Sequence, residues 1–196
     1  MPRVRALAGR EQATLFSVLL AAVAAVLHRA TGEEDLLIGT AVANRDAPGA
    51  EAAAGFFANT VPLRVRVDAD TAARDLVARA RTAGAGAQDH ARVPFDRIVD
   101  AAGVRRDPGR PPLVQVMVSL DPEEEGLLRL PGITATRMEV DTGAATFDLL
   151  VNLVDGRAGI RGEIIYPTQL YDAATIRRLA HRLTAVLGAF AADPAA

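Results

Sequence analysis

The sequence contains few side chains of the kinds that catalyse reactions or bind metals. Its three histidines, His28, His90 and His181, are far apart in the sequence, and none has a second ligand at the spacing of a metal site. The only serines are Ser17, in an apolar segment, and Ser119, in a strand-like segment, and neither has the sequence pattern of a nucleophile elbow. Cysteine is absent, which excludes disulfides, thiolate metal sites and a cysteine nucleophile. The residues alone therefore predict no metal site and no complete catalytic set.

The most unusual stretch runs from Ile38 to Arg64, where two apolar, strand-like runs flank a polar and alanine-rich segment. The residue types in this segment usually shape the backbone rather than fill a core. We therefore predict that it forms the wall of a site. Its polar and turn-forming members are Asn44, Arg45, Gly55, Asn59 and Thr60.

The composition is that of a folded chain without a strong charge preference. Half of the 196 residues are hydrophobic, which is enough for one domain with its own core or for one lobe of a larger enzyme. The net charge of −2 gives no general attraction to nucleic acid or acidic membranes, and aromatic residues are scarce. All 22 basic residues are arginine, which suits phosphate or carboxylate recognition but also follows from a coding bias toward alanine and arginine. We therefore expect neither a nucleic-acid nor a membrane partner.

An apolar run from Leu15 to Leu27 has two interpretations. Arginines precede it, as in a secretory signal, but it is too short to span a bilayer. Glu11 lies in the region that a signal keeps positive, and Thr14 and Gly32 are placed to begin and end a helix. A buried helix is the favoured prediction, and a cytoplasmic location follows from it.

Hydrophobic periodicity predicts an α/β chain of the two-layer α+β type, with about six strands and four or five helices in mixed order. Leu113 to Leu120 is apolar on both faces, as in a central strand, Asp155-Gly156 predicts a tight hairpin turn, and the acidic segment Asp121 to Gly126 predicts a solvated loop rather than a metal site. The expected architecture is a single domain over residues 1–196, with an open mixed sheet and helices mainly on one face. The predicted helices are Val4 to Arg10, Leu15 to Arg29, the segment after Thr71, Phe95 to Ala102 and the segment after Asp172. The predicted strands are Leu36 to Val42, Val61 to Val67, Leu113 to Leu120, Ile133 to Val140, Phe147 to Val154 and Ile160 to Tyr166.

Several segments, taken together from Leu7 to Pro194, resemble the condensation domains of non-ribosomal peptide synthetases. Any one of them would be weak evidence, but their common order makes chance similarity improbable. They are LAGREQATLF, LLIGTAVANR with GFFANTVPLR, His90 to Phe95 (similar to HQDxPF), Arg106 to Met117 (similar to RDxSRxPLFQVMF), Thr146 to Leu149 (similar to KFDL) and Tyr166 to Asp172 with the final helix.

The resemblance implies a chloramphenicol-acetyltransferase-like lobe. The family forms amide bonds between substrates held as thioesters on the phosphopantetheine arms of carrier proteins, in a tunnel between two lobes. Its catalytic motif, HHxxxDG, lies in the first lobe, and this sequence has no adjacent pair of histidines. The resemblance therefore implies a C-terminal lobe that contributes no catalytic residue, binds no cofactor directly and is inactive without its N-terminal lobe.

The resemblance also implies roles for individual residues. Arg45 matches the arginine that pairs, across the lobe junction, with the aspartate of HHxxxDG, a task that suits a planar fork. A solvated loop arginine is the alternative for Arg45, and core packing or a buried structural role is the alternative for the two phenylalanines and for Gln115. The residues that match the tunnel lining are Asn44, Gly55, Phe56, Phe57, Asn59, Thr60 and Gln115.

Two segments depart from the family pattern. Ala91-Arg92 replaces the usual Gln-Asp, and Pro108-Gly109 replaces a serine-bearing turn, which puts carrier contacts or loop shape in doubt rather than membership. The implied partners are the N-terminal lobe, carrier proteins and neighbouring synthetase domains, and an exposed lobe-facing surface predicts self-association. Two other classes stay open: a module that binds carrier or partner proteins without catalysis, and a complete small acyltransferase related to chloramphenicol acetyltransferase.

Overall fold

A computed structural model describes residues 2–105, 107–123, 131–133, 138 and 143–195. The described part of the chain contains five α-helices and a five-stranded sheet. The helices are α1 (Pro2–Arg10), α2 (Leu15–Thr31), α3 (Ala73–Asp89), α4 (Phe95–Ala101) and α5 (Ala173–Ala192). The strands are β1 (Asp35–Val42), β2 (Asn59–Arg66), β3 (Val116–Pro122), β4 (Leu149–Gly156) and β5 (Gly159–Ile165).

The sheet is open and mixed, with the strand order β2-β1-β3-β4-β5. β1 pairs antiparallel with β2 and parallel with β3, β3 pairs parallel with β4, and β4 pairs antiparallel with β5. Both sides of β3 are therefore paired, which confirms the prediction of a central strand. The sixth predicted strand, Ile133 to Val140, lies largely outside the described residues.

One face of the sheet packs against the helices and forms the core. Residues 18–24 of α2 are at most 4% exposed, because this helix is apolar nearly all round. Successive side chains of a strand point to opposite faces, so alternate strand residues such as Ile38, Leu63 and Val118 join this core. The prediction of a buried helix is confirmed. Among the described helices, none alone has the length and apolar composition of a membrane span; α1 and α2 reach both only as a pair, bent by 103°.

Caps fix three ends of the helices α2 and α5, which pack together. Thr14 Oγ1 accepts the Ser17 N–H at 3.1 Å, and Gly32, with φ +77°, ends α2. Asp172 Oδ1 accepts the Thr175 N–H at 2.6 Å and begins α5. These three sequence predictions are confirmed. They were possible because each cap depends on residues within a few positions of the helix end.

The start of β3 differs from the prediction. The strand begins at Val116 rather than at Leu113, because Leu113 has φ +64° and the Val114 N–H donates to the Pro112 carbonyl at 2.6 Å, which closes a γ-turn. At its other end the strand includes Asp121, which the sequence had placed in a solvated loop. The strand is thus displaced toward the acidic segment.

The hairpin between β4 and β5 is confirmed, but other residues form its turn. Gly156 pairs with Gly159, so Arg157 and Ala158 make the turn, and neither has a positive φ. A Cβ at Gly156 would lie 2.6 Å from a carboxylate oxygen of Glu123, at the flexible end of that side chain. That oxygen also accepts the Arg157 N–H at 3.1 Å. Glu123 is therefore fixed to the hairpin, and the rest of its acidic segment lies outside the described residues.

The opposite face of the sheet carries a row of hydrogen bonds between strands. Ser119 Oγ lies 3.0 Å from Asn152 Oδ1, and Asn152 Nδ2 donates to Glu163 Oε1 at 3.1 Å. On the same face, near the edge formed by β2, Arg64 donates to both carboxylate oxygens of Asp35. This face is therefore partly polar, unlike the face that packs against the helices.

Candidate functional site

Arg45 organises the loop between β1 and β2, residues 43–58, which we call the Arg45 loop. Its Nη1 donates to the carbonyls of Ala50 at 2.5 Å and Ala53 at 2.9 Å, and its Nη2 donates to the carbonyl of Gly55 at 3.1 Å. The guanidinium carbon lies 4.5 Å from the centroid of the Phe57 ring, within the range of a cation–π contact. Nε donates to no acceptor among the described residues, so this one N–H is available to a further partner.

Asn44 and Asn59 connect the Arg45 loop to the connection between α3 and α4, residues 90–94. Asn44 Nδ2 donates to the Ala91 carbonyl at 3.1 Å, and Asn59 Nδ2 donates to the same carbonyl at 2.8 Å and to that of Val93 at 2.7 Å. Asn59 Oδ1 accepts the Phe95 N–H at 3.1 Å. Two predicted site residues thus meet at one backbone carbonyl.

The remaining predicted residues of this stretch have different environments. Phe56 is 92% exposed, whereas Phe57 is half-buried beneath the arginine. A Cβ at Gly55 would lie 3.1 Å from the Phe57 ring, so the glycine allows the ring to approach the backbone closely. Thr60 is half-buried in β2 and pairs with Ala41 of β1. The structure therefore places most of the predicted lining residues on or beside the Arg45 loop.

Gln115 does not join this cluster. It precedes β3 rather than lying within it, and its Nε2 donates to the Pro111 carbonyl at 2.9 Å, so the side chain is bonded within its own loop. The next residue, Val116, pairs with Ile38, whereas Asn59 pairs with a residue four positions further along β1. Four residues of strand span about 13 Å. The prediction that Gln115 lies on the strand is wrong, because the γ-turn before it delays the start of β3.

A groove of about 520 Å³ lies elsewhere, between the end of α2 and α5. Val26, Arg29, Arg182, Ala185 and Val186 line it, and none of them is a predicted site residue. Within the ranges that the structure describes, no three side chains from histidine, aspartate and glutamate come together as a metal site.

Three carboxyl groups outside the Arg45 loop have a lowered pKa. Hydrogen bonds from the Arg64 side chain lower the pKa of the Asp35 carboxyl, and one from Arg79 lowers the pKa of Asp68. At the start of α5, the Thr175 N–H lowers the pKa of its cap, Asp172. All three carboxyls favour the ionised form in the folded state, as in structural ion pairs and helix caps.

Sequence reasoning missed the role of Ala91. The sequence showed residue 91 only as a departure from the family pattern, but it contributes its backbone carbonyl, which any residue type supplies. The cue in the sequence was the pair of asparagines at the two ends of the Arg45 loop, because their side chains often bond to the backbone. Their partner is 32 or more positions away in the sequence, so local patterns could not identify it.

Solved structures match the arrangement of helices and strands over nearly the whole chain. The X-domain from teicoplanin biosynthesis has a TM-score of 0.91 and 29% identity, over 99% of this chain and 45% of that one. The condensation domain from the monacolin K polyketide synthase MokA has a TM-score of 0.84 and 24% identity, over 98% of this chain and 45% of that one. The fold is therefore that of a chloramphenicol-acetyltransferase-like lobe, as predicted.

Sequence comparison identifies the family. The family described as Condensation domain matches residues 1–196. The phosphinothricin tripeptide synthetase PhsC of Streptomyces viridochromogenes is 38% identical over 192 residues, which cover 97% of this chain and 18% of that protein. The malpinin synthetase of Mortierella alpina is 37% identical over 190 residues, which cover 97% of this chain and 2% of that protein. The chain belongs to the condensation-domain family of non-ribosomal peptide synthetases, and it spans a small part of these curated relatives.

Proposed function

We propose that this chain is the C-terminal lobe of a condensation domain, which contributes one wall of a site for amide formation. The observation that supports this most directly is the match of 99% of the chain to 45% of the teicoplanin X-domain chain. In the proposed reaction, two carrier proteins present aminoacyl or peptidyl thioesters on phosphopantetheine arms, and the amine of one substrate attacks the thioester carbonyl of the other. The new amide bond forms as the carbonyl–sulfur bond breaks, and a thiol leaves.

Within this proposal, the proton-handling groups lie in the companion N-terminal lobe. An adjacent pair of histidines is absent from this sequence, and the chain alone is therefore proposed to be inactive. A general base or a group that stabilises the tetrahedral intermediate must lie within hydrogen-bond reach of the reacting atoms. This lobe supplies shape, exclusion of water and a cationic contact.

The cationic contact is Arg45. Three carbonyls and an aromatic ring hold its guanidinium in place, and the Nε–H is available for a carboxylate. A carboxylate can accept a charge-assisted hydrogen bond from this N–H. We propose that the acceptor is the aspartate of HHxxxDG in the companion lobe.

The proposal is tested by reading the coding sequence upstream of this chain for HHxxxDG and purifying the enlarged protein. With loaded carrier proteins, the enlarged protein should form the amide product, and the 196-residue chain alone should not. Product release is measured by mass spectrometry of the carriers. Turnover by the chain alone would overturn the proposal that the site is shared between two lobes.

In the enlarged protein, Arg45→Ala should lower the rate of amide formation at least about tenfold, since it removes a charge-assisted contact worth about 1.5–3 kcal/mol. Arg45→Lys should not restore the rate, because an ammonium cannot present a planar fork. Arg182→Ala, on the exposed side of α5, is the matched control and should leave the rate unchanged. A wild-type rate for Arg45→Ala would exclude the contact between lobes.

A second candidate is a module that binds a partner protein without catalysis. One solved structure similar to this chain, with a TM-score of 0.89 and 30% identity, is a complex of the teicoplanin X-domain with OxyB. A condensation-family fold can therefore serve as a binding surface for another protein. If no HHxxxDG lies upstream, this candidate replaces the first.

The isolated chain should also associate with itself, because large apolar side chains such as Phe56 are exposed. Light scattering over a range of concentrations tests this, with Phe56→Ser as the comparison. A strict monomer at high concentration would contradict the expectation.

A further inference from the structure

The Arg45 loop and the α3–α4 connection are joined by amide side chains that share one acceptor. The Ala91 carbonyl receives Nδ2 donors from Asn44 at 3.1 Å and from Asn59 at 2.8 Å. Ala91 itself is 3% exposed, so water has little access to compete for its backbone. If either asparagine were replaced, the Ala91 carbonyl would keep only one of these two donors, and water could not readily replace the other.

Asn59 uses the rest of its hydrogen-bonding capacity in the same connection. Its second Nδ2 hydrogen bond goes to the Val93 carbonyl, and its Oδ1 accepts the N–H of Phe95, the first residue of α4. Pro94, the residue before α4, makes no side-chain cap bond. A side chain from β2 therefore satisfies the first N–H of α4, one of the donors that a helix leaves without an intrahelical partner.

Asn44 joins the Arg45 loop to the same connection at the residue directly before the arginine. It has φ +50°, a left-handed conformation that asparagine tolerates better than most residues, and it directly precedes Arg45. Two features of Asn44 therefore restrict the backbone before Arg45: its left-handed conformation and its side-chain hydrogen bond to the Ala91 carbonyl. The guanidinium then closes the loop through its own carbonyl contacts.

We propose that Asn44 and Asn59 are positioning residues rather than tunnel contacts, and that they lock the Arg45 loop to the start of α4 as one rigid unit. In the full domain, this unit would present the Nε–H of Arg45 and the exposed Phe56 to the companion half. The identity of that partner rests on the proposed function, whereas the rigid connection between the two segments does not. A partner with a carboxylate opposite Arg45 and an apolar pocket for Phe56 fits this surface.

Hydrogen exchange on this chain alone tests the rigid connection. Asn59→Asp keeps the size of the side chain and the acceptor for Phe95 but removes both donors. We expect the amides of Ala50 and Ala53, which are hydrogen-bonded within the Arg45 loop, to exchange about tenfold faster, as when about 1.4 kcal/mol of local stabilisation is lost. Residue 59 does not bond to either amide, so only coupling between the two segments predicts this change.

The reciprocal variant is Asn44→Gly, which allows a positive φ and removes only the amide. It should accelerate exchange at Val93, whose N–H bonds to the His90 carbonyl in the α3–α4 connection. Asn152→Ala, which removes hydrogen bonds on the far side of the sheet, is the control and should change neither segment. Unchanged exchange of Ala50 and Ala53 in Asn59→Asp, or of Val93 in Asn44→Gly, would overturn the proposal; unaltered exchange in α2 verifies that each variant is folded.

The functional arm uses the enlarged protein and a double-mutant cycle between Asn44→Gly and Arg45→Ala. If Asn44 acts through Arg45, its substitution should slow amide formation about fivefold in the presence of the arginine and have little further effect in its absence. Additive effects would show that Asn44 does not position Arg45. Failure of the proposed function would leave the enlarged protein without any turnover, yet the exchange results on the chain alone would still decide the rigid connection.

Discussion

Gly39 and Gly84 are expected to respond in opposite directions to the same substitution by alanine. Gly39 lies in β1, and a Cβ there would overlap Met117 Sδ and lie 2.7 Å from Val114 Cγ1. Met117 is 5% exposed and Val114 is fully buried, so neither can move into solvent without loss of packing. Overpacking of this kind costs about 2 kcal/mol. In a chain of this length, that cost lowers the melting temperature by about 4–8 °C.

Gly84 is the matched control. It lies inside α3, and a Cβ there would meet no atom within 4 Å, so alanine adds helix propensity without a clash. Gly84→Ala should therefore raise the free energy of unfolding by about 1 kcal/mol and the melting temperature by about 2–4 °C. Differential scanning calorimetry on the wild type and both variants measures the pair.

A double mutant tests the cause. If Met117 is the obstacle, truncating it should cost about 1 kcal/mol less in the Gly39→Ala background than in the wild type, because the overlap is relieved. A melting temperature for Gly39→Ala equal to or above that of the wild type would refute the packing argument. It would mean that the segment before β3 moves away from β1 at little cost, and then the position of Gln115 would not be fixed either.

Two further predictions concern stability. Thr14→Ala should lower the free energy of unfolding by about 1 kcal/mol, because it removes the cap of the central helix α2, while Thr14→Ser should preserve the cap; chemical denaturation measures both. The lowered pKa of Asp35 means that the folded state binds fewer protons than the unfolded state at acidic pH. Its contribution is therefore present above the unfolded pKa and is lost as the pH falls below about 4 through the folded pKa. The urea midpoint should fall less steeply with acid in Asp35→Asn than in the wild type, and identical slopes would contradict the assignment to the Arg64 pair.

The features that sequence reasoning predicted depend on local chemistry. Thr14, Gly32 and Asp172 end or begin helices through residues within four positions, so their types alone were informative. The hairpin after β4 was also predictable, because Asp155-Gly156 lies between two strand-like runs. Its turn was assigned to the wrong residues, since Gly156 pairs with Gly159 and the turn consists of Arg157 and Ala158.

The features that sequence reasoning missed depend on contacts between distant segments. Leu113 is a leucine with a positive φ, which no propensity favours, and the γ-turn around it displaces the start of β3. Such a conformation persists only where the surroundings determine it, and here the chain packs closely over Gly39. Because β3 begins later, Gln115 lies before the strand, and its side chain bonds to the Pro111 carbonyl of its own loop instead of lining the site.

The departure at residues 91 and 92 has a specific physical meaning in this arrangement. The family pattern places a glutamine before an aspartate there, and this chain has alanine before arginine. The contact that organises the Arg45 loop uses the carbonyl of residue 91, so the change of side chain leaves that acceptor in place. Arg92 is exposed, and its charge is opposite to that of the usual aspartate. The departure therefore preserves the internal support of the Arg45 loop and reverses the charge that residue 92 presents at the surface.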